Sequence, residues 1–180
     1  MATKYTTNIS TRQLNQLIRE LQEYADKLAA KCEQFVSELA EIGIETARAN
    51  LSDLVEDNDG NTLAVSGNVY FEKQVDANAY GATSIIIPSS NTIFVEWATG
   101  SAVVDPLLMA EFGSGEFAVE GHRGTFPNQK HAFDPNGWYW KDIGGKLHHS
   151  RGITPTRPLH KAKEEMIQQI SEVAERVFEL

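Results

Sequence analysis

"STRQLNQLIRELQEYADKLAAKCEQFVSELAEI", residues 10–42, carries an apolar or small residue at Leu14, Ile18, Leu21, Ala25, Leu28, Cys32, Phe35, Leu39 and Ile42. The steps alternate between four and three, so one stripe follows a single helix face for about four heptads. Leu17, Tyr24 and Val36 widen the stripe, while Arg19, Glu23, Asp26, Lys27, Lys31 and Glu38 occupy the other side. Ser10 and Gln13 stand at the spacing of a capping box, S-x-x-Q, which marks where the helix begins. Running to residue 42 or 50, such a helix is roughly 50–60 Å long at 1.5 Å per residue. That exceeds the width of a compact domain of this size, so either Gly43 bends it or one end protrudes. The plainer expectation lays the stripe on a sheet as core. The sharper one packs part of it on a neighbouring subunit.

Downstream the pattern changes to strands. A turn-rich acidic link, "EDNDGN" (56–61), leads into "LAVSGNVYFEKQV" (63–75), with Gly67 as a bulge or bend. "TSIIIPS" (83–89) and "NTIFVEWA" (91–98) follow, separated by a break at 88–90, and connections this short predict an antiparallel meander. "DPLLMAEFGSG" (105–115) reads as a short helix: Asp105 caps it, Pro106 takes its first position and Gly113 stops it. "DPNG" (134–137) is a turn, and "WYWKDIGGKLHHS" (138–150) suits a hairpin closed at Gly144-Gly145. Near the end, "RGITPTRPLHKAKEEM" (151–166) starts a helix at a fixed place, with Thr154 or Thr156 as the candidate cap and Pro158 in the first turn. Leu159, Ala162, Met166, Ile170, Val173, Val177 and Leu180 share one side of it. The expectation is one α+β domain over 1–180. A long helix (10–50) and a C-terminal helix (157–179) pack on a small, mainly antiparallel sheet (62–100). A short helix (105–113) and a long polar excursion (116–150) complete the domain.

The composition sets limits on function. The 180 residues are 41% hydrophobic and 23% charged, as in an ordinary globular protein. A formal net charge of −9 argues against a general nucleic-acid-binding surface, which needs clustered Lys and Arg. The single cysteine, Cys32, excludes an internal disulfide and reads as an inert core thiol. No run reaches the roughly 18 apolar residues that span a membrane. "MATKYTTNIS" is too polar for a signal peptide, so folding in the cytoplasm is expected.

Catalytic chemistry finds little support. Four of the five histidines fall within 116–150, but no spacing resembles a known metal motif, and His148 and His149 point to opposite faces of a strand. Ser114 lies between glycines, yet the G-x-S-x-G frame is absent, and helix termination by Gly113 explains the same letters. Glu164 and Glu165 belong to a solvated helix face. The expectation is no enzyme, no metal and no cofactor. Trp138, Tyr139 and Trp140 in succession cannot all enter one core, and such residues favour contact surfaces.

Two pieces then carry a resemblance: "MAEFGSG" (109–115) and "GITPTRPLHKA" (152–162). In the order long helix, strands, short helix, polar excursion, G-x-x-P-x-x-P and final helix, the chain resembles the tail-completion, or neck, proteins of long-tailed bacteriophages and prophages. The excursion through "NGWYW" and "HHSRG" is similar to members from phages of Gram-positive hosts. One departure is Gly113-Ser114, where the family carries Gly-Thr; the hydroxyl is kept.

The resemblance implies a non-enzymatic virion protein assembled in the bacterial cytoplasm. Copies would form a ring, expected to be a hexamer, between the head connector and the tail tube or its terminator. DNA would pass through without specific binding, and no membrane is involved. Residues expected at subunit or partner contacts are Glu111, Phe112, Gly113, Trp138, Tyr139, Trp140, Arg157, Pro158 and Leu159, with Arg157 as partner to Glu111. The alternatives are another particle protein (a tail terminator, minor capsid or contractile-tail part) and, well behind, a small metal-dependent hydrolase.

Overall fold

The protein, seen in a computed structural model, is described over residues 10–52, 68–78, 81–91, 93–97, 100–119, 134–141 and 146–179. Its first element, α1 (Thr11–Ser52), is one continuous helix of 42 residues. The capping box opens it: the Ser10 N–H donates to Gln13 Oε1 (3.0 Å), and the Gln13 N–H donates to Ser10 Oγ (3.3 Å). The helix runs through Gly43 without a break. A Cβ there would stand 2.7 Å from Met166 Sδ and 2.9 Å from Ile86 Cδ1, so glycine leaves room for side chains of two other elements against α1.

Among the described residues the strands pair as three antiparallel two-stranded ribbons rather than as one meander. β1 (Val69–Asn78) pairs with β2 (Gly81–Ser90) in a register that sets Val69 opposite Ser90 and Asn78 opposite Gly81. Side chains alternate across this ribbon, so Val69, Phe71 and Ile86 turn inward while Tyr70, Ile85 and Ile87 stay exposed. β2 runs straight through the expected break, with Pro88 opposite Phe71. Every strand of a two-stranded ribbon is an edge, where proline's missing donor can face away from the partner. β3 (Ile93–Trp97) pairs with β4 (Gly100–Val104), and β5 (Trp138–Lys141) with β6 (Leu147–Ser150). The β5–β6 hairpin is as expected. Its closure at 144–145, Gly67, the link at 56–61 and residues 120–133 of the excursion lie outside the described residues.

Two further α-helices stand among the described residues: α2 (Pro106–Phe112) and α3 (Pro158–Phe178). α3 lies antiparallel to the C-terminal part of α1. Lys31 pairs with Glu179 (3.2 Å), Arg176 with Glu38 (2.7 Å), and Lys161 with Asn50 (2.6 Å). Exposed pairs of this kind add little energy each, but together they fix the register. Arg176 and then the Gln34 amide hold the Glu38 carboxyl below its ordinary value. At the far end Phe35 and Phe178 meet at a centroid distance of 5.9 Å, tilted by 53°. The core gathers below this point, from Ile44, Ala47 and Leu51 of α1, Val69 and Phe71 of β1, Met109 and Ala110 of α2, and Ile153 and Ala162.

The stripe of α1 therefore divides. From Phe35 onward α3, β1 and β2 cover it, but every residue from 11 to 28 is exposed. The core expectation is not met for that half: α3 ends at Phe178, Glu179 reaches back only as far as Lys31, and no described residue covers 11–28. Cys32, expected in the core, is half-buried at the boundary and carries a free thiol. Ile170, expected on the buried side of α3, is 43% exposed. Ala162, Val173 and Val177, expected on that side too, are buried, and beside Ile170 the neighbouring elements leave a groove.

Candidate functional site

The two segments that carry the resemblance are far apart in sequence and locked together in space. α2 starts as expected. Asp105 Oδ1 accepts the Leu107 and Leu108 N–H groups at 2.9 and 3.2 Å, with Pro106 at the first position. The same oxygen takes the Ser90 hydroxyl proton (2.6 Å), tying the end of β2 to the start of α2. Gly113 ends the helix at φ 72°, donating its N–H to the Met109 carbonyl.

Beyond it the chain runs antiparallel to residues 151–153. The Ser114 N–H donates to Ile153 O (2.9 Å), the Ile153 N–H to Ser114 O (3.2 Å), and the Glu116 N–H to Arg151 O (2.9 Å). Ser114 is fully buried, and its hydroxyl accepts the Ile153 N–H at 3.0 Å. This is a latch and explains why a hydroxyl follows Gly113. The strands cross so closely that a Cβ on Gly115 would stand 2.2 Å from Arg151 O, and one on Gly152 2.1 Å from Ser114 O. Both glycines also hold positive φ, 61° and 122°. Outside, Arg151 grips Glu116 through Nη2 (2.8 Å) and Nε (3.1 Å).

The start of α3 is anchored on the same clasp. Its first N–H groups need partners that the helix itself cannot supply. Pro158, at the first position, has none to satisfy. Glu111 accepts the next two, Leu159 N–H at Oε2 (2.8 Å) and His160 N–H at Oε1 (3.1 Å). The Lys161 N–H then makes the first helical bond, to Arg157 O (2.9 Å). Just upstream, the Thr156 and Arg157 N–H groups both donate to Ala110 O at 3.0 Å. A carboxylate at a helix N-terminus also meets the favourable end of the helix dipole.

Two expectations are corrected here. Neither Thr154 nor Thr156 caps α3. The cap position is Arg157, in left-handed backbone (φ 55°, ψ 53°), with no side-chain cap, and the buried Thr156 hydroxyl has no hydrogen-bond partner among the described residues. Glu111 does engage the approach to α3, but through the backbone of residues 159 and 160 rather than the Arg157 guanidinium.

The expected contact residues thus separate. Glu111, Gly113, Pro158 and Leu159 serve the clasp, with Gly113 and Pro158 buried and Glu111, Phe112 and Leu159 half-buried. Arg157 is exposed. Trp138, Tyr139 and Trp140 form β5, opposite Ser150, His149 and His148. The side chains of these three aromatics and of His148 fall outside what the structure describes. His149 Nε2 lies 3.1 Å from Asn136 O, joining the hairpin to the 134–137 turn. Sequence reasoning passed over Ser114, Gly115, Glu116, Arg151, Gly152 and Ile153 as a unit. The available signal was a glycine-flanked serine and an Arg-Gly pair of matching length.

Among the described residues no group of three or more His, Cys, Asp or Glu side chains is placed to hold a metal ion. No helix among them is long and apolar enough to cross a membrane. The chain matches no family model, no curated protein and no solved structure.

Proposed function

We propose that this chain is a structural, non-enzymatic subunit of the head–tail junction in a long-tailed bacteriophage or prophage particle. Copies form a ring, a hexamer to match a tail tube, that completes the tail and joins it to the head connector. The observation that carries this reading is α1. It is about 63 Å long at 1.5 Å per residue, and its N-terminal half leaves the folded core with Leu14, Leu17, Ile18, Leu21, Tyr24 and Leu28 all exposed. A row of large apolar residues on a rigid arm is the surface of an assembling subunit.

The clasp supports the reading from the other side. A ring closes only if each subunit turns by the right angle relative to the last. Here the direction of α3 is fixed against α2 by four backbone N–H groups and a carboxylate. The formal charge of −9 suits a channel through which DNA slides, because an acidic wall repels phosphates where a basic one would hold them. The reading is tested by deleting the coding sequence in a host that produces the particle and imaging the products. Filled heads and finished tails that do not join are expected. Normal particles, or tails of uncontrolled length, would reject the junction role.

A further inference from the structure

Two apolar surfaces of this chain are uncovered by any described residue. One is the bare stripe of α1. The other is a groove of about 360 Å³ between α1, β2 and α3, lined by Leu39, Ile86, Met166, Ile167 and Ile170, with Lys163 as its single charged residue. Ile167 and Ile170 are 57% and 43% exposed. We propose that these surfaces are the two halves of one contact: the stripe of one copy seats in the groove of a second copy of this chain. The proposal rests on the ring reading, whose subunit contact it names.

Four observations carry it. The first is continuity. From Phe35 onward the face of α1 is already packed against a helix, α3, and the bare half prolongs that seam past the end of α3. Lys163, Met166, Ile167 and Ile170 recur at i, i+3, i+4 and i+7, so α3 offers a second helical ridge to a second α1.

The second is that one chain cannot satisfy itself. Leu21 of the stripe and Leu39 of the groove stand on the same continuous helix, roughly 27 Å apart along its axis. The third is width. Leu14, Leu21 and Leu28 form one row, Ile18 and Ala25 a second, Leu17 and Tyr24 a third, with charges confined to the back. Three apolar positions in seven exceed the narrow seam of a paired coil and suit a groove with walls from several elements. The fourth is area. The six large stripe residues expose on the order of 600 Å², against ~800 Å² per partner in a standard interface. A polar rim supplies the remainder. Because the two surfaces differ, the contact is head-to-tail, the kind that repeats around a ring.

The test uses Leu21→Glu on the stripe and Ile170→Glu in the groove. Both positions are exposed, and an unchanged far-ultraviolet circular dichroism spectrum with a single cooperative melt verifies that each isolated variant folds. The native mass of each variant is measured alone and in an equal mixture. Each alone is expected to lose the wild-type assembly and run as a monomer. The mixture is expected to give a discrete two-chain species, since the intact stripe of Ile170→Glu fits the intact groove of Leu21→Glu and nothing remains to extend it. Assembly of Ile170→Glu alone, with Leu21→Glu monomeric, would show that the stripes pair with each other and overturn the groove. Wild-type rings indifferent to both substitutions would overturn this contact while leaving the ring reading standing. A wild-type monomer at every concentration would remove both.

Discussion

Replacing Glu111 by alanine removes both acceptors that hold the start of α3. The carboxylate is half-buried and takes two backbone N–H groups at 2.8 and 3.1 Å. Each N–H left without a partner costs about 1–3 kcal/mol, reduced where water can enter. Loss of the favourable charge at the helix N-terminus adds roughly 0.3–1 kcal/mol. A total near 2–4 kcal/mol is therefore expected. In a chain of this length each kcal/mol moves Tm by about 2–4 °C, so Glu111→Ala should melt roughly 4–16 °C below wild type. Glu111→Gln, which keeps one acceptor oxygen, should fall between the two. Both melts are followed by circular dichroism at one protein concentration, because assembly shifts apparent stability. Hydrogen exchange should accelerate at the Leu159 and His160 amides before it does at Val173, which is fully buried further along α3. A Glu111→Ala protein that melts within about 1 °C of wild type, with those two amides equally protected, would refute the capping role.

Four other tests probe the same frame. Arg157 holds left-handed backbone at a cost of about 1–2 kcal/mol, so Arg157→Gly should raise stability by roughly 0.5–1 kcal/mol after glycine's extra unfolded-state entropy, read as a higher Tm. Because Glu111 binds backbone, Glu111→Arg should be as damaged with Arg157→Glu as without it; recovery of assembly or Tm in the double variant would restore the side-chain pair. Gly152→Ala forces a Cβ to 2.1 Å from the Ser114 carbonyl oxygen at a φ of 122°, and should cost about 3 kcal/mol or more in a denaturant titration. Glu38, whose carboxyl is held low by Arg176 and Gln34, contributes stability above the ordinary carboxylate pKa that is lost as pH falls through its lowered one. The Tm gap between wild type and Glu38→Gln should therefore shrink from about pH 6 to about pH 3, and a constant gap would contradict the pairing.

Elements whose signals are local were legible in the sequence. The capping box at Ser10 and Gln13, the Asp105-Pro106 start of α2, its stop at Gly113, the 134–137 turn and Pro158 at the first position of α3 all depend on residues within a few positions of one another. The α+β class followed from them. What stayed hidden depends on distant partners. The spacing of the α1 stripe is uniform from Leu14 to Ile42, and the reach of its distant partners, α3 ending at Phe178 beside Phe35 and the β1–β2 ribbon, decides which half the described residues cover. The α3 cap comes from Glu111, 48 positions before Leu159, while the nearby threonines satisfy every local rule and take no part. β4 (Gly100–Val104) escaped for another reason. Five residues beginning Gly-Ser-Ala carry too little branched surface to signal a strand until β3 pairs with them.

The native mass of the purified wild-type protein, across a concentration series, tests the ring most directly. The account predicts a discrete closed species of identical 20.0 kDa subunits, six in number, that forms above a threshold concentration and is indifferent to a chelator. A monomer at every concentration, or a dimer that never grows, would contradict it.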